Sequence, residues 1–376
     1  MVAAGPVNLA SSILEHASRA PKRIALVTPG EPALGFGELA DRVARLRDGL
    51  ARQGIRPGDR VLVLAPLGAD MIAVSLALLA SAATLVTLDG QLGPRRVARA
   101  LAVARPRAVI SLARLLRFWP LSPALARARR FAIDGDGAGA RFGTATRFGV
   151  GARLATQPFA VLVGAPNAAP PVEPTAAAMV SFSSGTSGRP KGAERSHEIL
   201  LAQHEALARA FPVVDGDVDM PAFPALTLHN LACGITTVLP PVDLRQPASV
   251  DAWAIVEAAR RYGVTTMSGS PAYLLRVARH LIDARVMLPR VRRVAVGGAP
   301  VSRTLCRALR QAFPTSEGLV VYGSTEAEPM AHVGIDEVAS AEGAGFLVGA
   351  VDPAAEIELV ELPAACPAGA GDRLRD

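Results

Sequence analysis

The segment Ser181-Phe-Ser-Ser-Gly-Thr-Ser-Gly-Arg-Pro-Lys-Gly192 concentrates groups that can bind phosphate. Ser183, Ser184, Thr186 and Ser187 place four hydroxyls within five positions, Gly185, Gly188 and Gly192 supply three glycines, and Lys191 adds a full positive charge. Hydroxyls and free backbone N–H groups donate to phosphate oxygens, and glycine lets the backbone approach closely. The lysine can balance charge that builds up during phosphoryl or nucleotidyl transfer. The pattern is neither GxxxxGK[ST], because Gly192 follows Lys191, nor GxGxxG. On composition alone, a polar turn that binds nothing is an equal reading. Lysine is otherwise almost missing: Lys22 and Lys191 are the only two among 40 basic residues. In such an arginine-biased chain, a retained lysine suggests a need for a compact point charge, which arginine's fork does not imitate.

Tyr322-Gly-Ser-Thr-Glu326 ends an apolar run, and ligands bind at strand ends of open α/β sheets. A carboxylate at Glu326, opposite a phosphate loop, suits a hard cation that bridges phosphates. The competing role for Glu326 is an acid at a helix N-terminus. His229 is the one histidine in an otherwise apolar stretch, so it either lines a pocket or sits satisfied in the core. His197 and His204, seven apart, favour a structural or surface role. Asp215, Asp217 and Asp219 alternate as metal ligands do, although a solvated loop is the favoured reading. Cys233, Cys306 and Cys366 have no metal spacing, and an odd count gives no disulfide framework, which points to a reducing cytoplasm.

These groups need elements to position them. Leu39, Val43, Leu46 and Leu50 repeat at helical spacing within Phe36–Gly54, and Gly54 is placed to cap that helix. Arg60–Pro66 reads as a strand buried on both faces. Further strands are expected at 108–111, 159–163, 178–182, 264–267, 291–296 and 318–322. Helices are expected at 194–211, 250–262, 271–285 and 302–313. The uncharged run Met71–Leu88 approaches the length of a membrane span, but it is rich in Ala, Ser and Thr and flanked by Asp70 and Asp89. It reads better as a buried helix over about 69–82 leading into a strand at 84–88. Alternating strands and helices predict an α/β fold with largely parallel sheets. The proline-rich stretch 164–175 divides a first α/β subdomain (1–170) from a second (171–333), and the tail (334–376) carries an alternating strand pattern at 355–362.

Ser184-Gly-Thr-Ser-Gly-Arg-Pro-Lys191 resembles the signature loop of the adenylate-forming superfamily, which includes acyl-CoA synthetases, luciferases and the adenylation domains of peptide synthetases. Other motifs follow in the same order. Val61–Asp89 resembles the superfamily's first strand–helix–strand motif. Pro224–Gly234, with His229, resembles the stretch lining the acyl pocket. Gly297-Gly298-Ala299-Pro300 resembles the turn that packs on adenine, and Tyr322-Gly323-Ser324-Thr325-Glu326 resembles the Tyr-Gly-x-Thr-Glu motif. The likeness spans about residues 8–372. It implies ATP and Mg²⁺ as cofactors, with Thr325 on the α-phosphate, Glu326 on the metal and Lys191 with the loop hydroxyls on the outer phosphates. It also implies an incomplete β-barrel subdomain over 334–376. Pro367–Leu374 resembles a barrel motif. After it the family continues with the barrel remainder, a ribose-binding aspartate and a mobile domain carrying a second lysine. A trimmed chain, a split gene or a half-enzyme completed by a partner would each explain that difference, and each predicts weak adenylation by this polypeptide alone.

The runs Ser268–Tyr273 and Tyr322–Pro329 resemble the olefin-biosynthesis branch, which forms β-lactones. An ordinary fatty acyl-CoA ligase is the alternative. Small residues at Ala232, Gly234 and Gly269 leave room for an aliphatic chain, and the expected partners are ATP and a small acyl substrate. The net charge of +7 raises the possibility of nucleic acid, but aromatic residues make up only 4%, too few for stacking platforms. The N-terminus lacks the pattern of a signal peptide.

Overall fold

The structure, a computed structural model, describes residues 8–88, 92–116, 125, 127–133, 156–167, 169–183, 191–244, 246–353 and 355–358. It opens with α1 (Leu9–Arg19), β1 (Ile24–Val27), β2 (Leu34–Gly35) and α2 (Phe36–Arg52). There follow β3 (Arg60–Leu64), α3 (Ala69–Ala80), β4 (Thr84–Leu88), α4 (Pro94–Ala104), β5 (Ala108–Ser111) and α5 (Ala113–Leu116). Next come β6 (Arg129–Ala132), β7 (Gln157–Pro158), β8 (Ala177–Ser183), β9 (Lys191–Ser196) and α6 (His197–Ala210). The chain continues through β10 (Val218–Pro221), α7 (Pro224–Ala232), β11 (Thr236–Val238), α8 (Ala252–Arg261), β12 (Thr266–Gly269) and α9 (Pro271–Ala284). It ends with β13 (Arg293–Gly297), α10 (Arg303–Ala312), β14 (Glu317–Tyr322), β15 (Ala331–Gly334), α11 (Ile335–Ser340) and β16 (Ala350–Val351).

Two sheets organise these elements. A seven-stranded sheet runs β7-β6-β5-β3-β4-β8-β9, and a nine-stranded sheet runs β16-β15-β14-β13-β12-β10-β11-β1-β2. Their interiors are parallel, while β9, β15, β16 and β2 pair antiparallel toward the edges. The expected boundary at 170/171 does not coincide with the division between the sheets. β1 and β2 cross into the nine-stranded sheet, and β8 and β9 cross into the seven-stranded one.

Helix positions follow the apolar pattern. α2 buries Leu39, Val43, Leu46 and Leu50, and Glu38 accepts the Gly35 N–H at 3.1 Å to cap its start. Every residue of α3 from Ile72 to Ala80 is buried, which accounts for the uncharged run. At 12 residues α3 is about 18 Å long, and no helix among the described residues is long and apolar enough to cross a membrane. One core joins α1, α2, α3 and α7 to one face of the seven-stranded sheet and to β1. A second packs α8, α9, α10 and α11 on the nine-stranded sheet. A third, smaller core lies on the opposite face of the seven-stranded sheet under α4 and α5.

Three expectations are corrected. Phe159–Leu162 form a 3₁₀ turn after the two-residue β7, not a strand. The helix expected from 194 begins at His197, because Lys191–Ser196 alternate outward and inward as a strand along β8, and the Ser196 hydroxyl accepts the Ile199 N–H at 3.3 Å. Residues 355–358 carry no strand. The remainder of that expected strand, and with it most of the expected barrel segment, lies outside the described residues. What the structure describes after 333 is α11 packed on α10, and β16 added beside β15.

Candidate active site

β8 and β9 form a hairpin whose last paired residues are Ser183 and Lys191. The loop between them is therefore held at both ends by one ladder. Ser184, Gly185, Thr186, Ser187 and Gly188 lie outside the described residues. β8 also runs parallel to β4, with Phe182 opposite Leu88, so the loop leaves from the carboxyl edge of the seven-stranded sheet. Lys191 is exposed there. Gly192 is packed under Phe182: a Cβ at that position would sit 3.0 Å from the ring.

The β9 strand also turns Arg195 inward, where it is buried. Arg195 donates to Ser181 Oγ at 2.7 Å and to Gln203 Oε1 at 3.4 Å. Burial lowers its pKa, and the carboxylates of Glu328 and Glu326 oppose that by favouring the charge. Gln203, on α6, in turn donates from Nε2 to the Glu326 carbonyl at 3.4 Å. A polar chain thus runs from the phosphate-loop hairpin to the loop that follows β14. Sequence reasoning missed Arg195 and Gln203. The available signal was an arginine alternating with Glu194 in a short strand after Lys191.

Beyond β14 the chain folds back tightly. Met330 N–H donates to the Tyr322 carbonyl and Ser324 N–H to the Ala327 carbonyl, each at 2.8 Å. Ala327 N–H donates to Ser324 Oγ at 3.3 Å. This turn holds Gly323, half-buried Thr325 and exposed Glu326 at the carboxyl end of the strand. Among the described residues Glu326 has no cationic partner within salt-bridge distance. Its oxygen donors suit a hard divalent cation.

Gly297 and Gly298 end the neighbouring strand β13. Gly297 lies opposite Val321, and a Cβ there would meet the Val321 carbonyl oxygen at 2.6 Å. Gly298 has φ +77°, and a Cβ on it would touch the Phe223 ring at 3.3 Å. These glycines allow two strands and an aromatic ring to meet closely, leaving Gly298, Ala299 and Pro300 exposed beside Tyr322. β10, β12, β13 and β14 are parallel, so Phe223, Gly269, the 297–300 turn and the 322–326 turn share one sheet edge.

His229, on α7, is buried and faces two groups. Its Nδ1 lies 2.9 Å from Nδ1 of His204, and its Nε2 lies 3.5 Å from Cys233 Sγ. Burial, then the neighbouring His204, pushes His229 down to about 3, and burial pushes Cys233 up to about 11, so this is a neutral hydrogen-bonded chain. The three donor atoms lie within 4.8 Å, a spacing that a metal ion could use, but they already satisfy one another. Of the structural and surface roles expected for His204, the structure favours the structural one: it is half-buried against His229. His197 is buried at the start of α6. The aspartates are corrected too. Only Asp215 is a solvated loop residue, paired with Arg23 at 3.0 Å. Asp217 is buried against Arg292, whose Nε donates at 2.9 Å, and Asp219 is buried against Asn230 and Thr266. No metal-like convergence links the three.

Comparison with known proteins agrees with this arrangement. An olefin beta-lactone synthetase of Xanthomonas campestris pv. campestris is 30% identical over 404 aligned residues, covering 98% of this chain. The chain spans 66% of that relative's length. The luciferase-like enzyme of the mealworm Zophobas morio superposes with a TM-score of 0.75 at 20% identity, covering 92% of this chain and 79% of that one. A nonribosomal peptide synthetase solved with AMPPNP superposes at 0.69 and 23% identity, covering 89% of this chain and 33% of that one. A family model described as AMP-binding enzyme matches residues 13–371. With the two-sheet fold and the strand-edge motifs, that match means that the chain belongs to the family of AMP-binding enzymes.

Proposed function

We propose that this chain binds ATP and activates a carboxylic acid as its acyl-adenylate, with a fatty or β-hydroxy fatty acid as substrate. In this reaction a carboxylate oxygen bonds to the α-phosphorus, the bond to the β-phosphate oxygen breaks, and pyrophosphate leaves. Lys191 and the hydroxyls of 183–187 hold the outer phosphates, and Thr325 steadies the α-phosphoryl group. The 297–300 turn and Tyr322–Ser324 flank the adenine, while His229 sits on the acyl side. Glu326 would hold Mg²⁺, which when bound neutralises phosphate charge. Catalysis of this kind is positioning and electrostatic stabilisation.

The observation that carries the reading is the polar chain Ser181–Arg195–Gln203–Glu326, which couples the phosphate-loop hairpin to the proposed metal-holding turn. The β-hydroxy preference rests on the likeness of 268–273 and 322–329 to the olefin branch, and on the name of the 30% identical relative. A β-lactone or an acyl thioester is the product that would follow from the acyl-adenylate.

The test is pyrophosphate exchange, with a 3-hydroxy fatty acid and the matching unsubstituted acid, alongside thermal protection by ATP·Mg²⁺. Lys191→Ala should reduce exchange about 10²–10³-fold and weaken the protection. If ATP gives no protection, or the variant retains all of it, the proposal fails. Protection without exchange would favour the second reading, a nucleotide-binding chain that needs a complementing domain.

A further inference from the structure

Charge is spread very unevenly along this chain. Between Asp89 and Asp134 lie ten arginines and no acidic residue. The whole chain carries +7, so these 44 residues carry +10 and all the others together carry −3.

Among the described residues, two helices and a loop of this segment cover one face of a sheet. Leu101 of α4, Leu116 of α5 and Ala128 share the small core that covers Val86 and Val109 on the outer side of the seven-stranded sheet. Their helices therefore present their polar sides outward together. Arg95, Arg96 and Arg99 on α4, Arg114 on α5 and Arg127 are all exposed, and none has an acidic partner among the described residues. Elsewhere several arginines are paired: Arg292 meets Asp217 and Arg293 meets Glu317 at the nine-stranded sheet, and Arg310 on α10 meets Asp336 on α11. Aliphatic side chains interrupt the arginines, with Val103 63% and Leu115 41% exposed.

We propose that this face docks on an anionic lipid surface. Co-facing arginines without acids supply the attraction to lipid phosphates, and guanidinium binds phosphate bidentately. The interleaved Val103 and Leu115 match a helix lying in the membrane interface, with apolar side chains entering below the charges. Single-stranded nucleic acid would instead call for aromatic platforms, and the described part of this face presents arginine and aliphatic groups. The inference stands independently of acyl-adenylation.

Co-sedimentation with vesicles tests it. The full chain should bind phosphatidylcholine vesicles containing phosphatidylglycerol, should not bind phosphatidylcholine alone, and should be released by high salt. R95Q/R96Q/R99Q should lower partitioning roughly 100-fold. The control R260Q/R276Q/R279Q removes equal charge from exposed sites on α8 and α9, which pack on the nine-stranded sheet, and should bind like the parent. Val103→Ser should weaken binding at unchanged charge. Failure of the parent to bind, or equal loss in both triple variants, overturns the proposal. Retention of duplex DNA with no vesicle binding also overturns it and assigns the face to nucleic acid. All substituted side chains are exposed, and circular dichroism verifies that each variant is folded.

Discussion

Replacing Asp219 by asparagine should flatten the dependence of stability on pH between about 4 and 7. The Asp219 carboxylate lies buried in β10, accepting from Asn230 Nδ2 at 2.6 Å and from the Thr266 hydroxyl. Burial raises its pKa from 3.8 to about 6; the two side-chain hydrogen bonds oppose the rise, and Asp217 adds to it. A carboxyl with a folded pKa above its unfolded one binds its proton more tightly in the folded state. Its contribution is fully present below about 3.8 and is lost as pH rises through 6. A two-unit difference corresponds to about 3 kcal/mol. Asparagine is neutral throughout and keeps the shape. Urea titrations of parent and Asp219→Asn, at intervals from pH 4 to 7.5, yield a difference curve in which the other titrating groups cancel. The variant should gain about 3 kcal/mol relative to the parent across that range. A pH-independent difference would refute the reasoning.

Other predictions follow from the same packing. His204 and His229 are pushed down by burial, so their contribution is present above about 6.5 and is lost on acidification; a His229→Gln protein should lose less stability than the parent between pH 6 and 4 in urea melts. Arg292→Ala leaves the buried Asp217 carboxylate unpaired and should cost about 2–4 kcal/mol, at the lower side for such pairs because Arg292 keeps a third of its surface in water; Asp217→Asn in the same background should recover part of it. Gly297→Ala drives a methyl group into the Val321 carbonyl. Neither backbone can rotate away, so a loss of about 1–3 kcal/mol is expected, together with weaker thermal protection by ATP.

The chemistry-bearing motifs were legible because each is a short segment at a strand end. Val61–Leu64 and Gly318–Tyr322 carry their strand signal in short apolar runs, and α2 carries its period in four leucine and valine positions. What sequence hid was contact across long separations. Asp217 and Asp219 look like a polar loop until Arg292, Asn230 and Thr266 are folded onto them. His229 and Cys233 are one helical turn apart, but His204 joins them only because α6 packs on α7. β9 was obscured because Lys191–Ser196 is polar, and its strand state depends on pairing with β8, not on its own propensity. Phe159–Leu162 is the reverse case: an apolar run that reads as a strand but packs against α2 as a 3₁₀ turn. The strand exchange between the sheets left no local trace, because β1 and β11 are separated by more than half the length of the chain.

That exchange dictates an order of events during synthesis. β1 pairs with β2 on one side and with β11 on the other, and Val27 meets Val238. At about 5–20 residues per second, the ribosome delivers that partner roughly 10–40 s after Val27 appears. Through that interval the edge of Ala25, Leu26 and Val27 stays unpaired, an adhesive surface of the kind chaperones protect. The seven-stranded sheet likewise waits for β8, made after the proline-rich connector. Neither half of this chain can mature ahead of the other. Cutting at 164–175 would yield two pieces, each holding strands that only the other can complete.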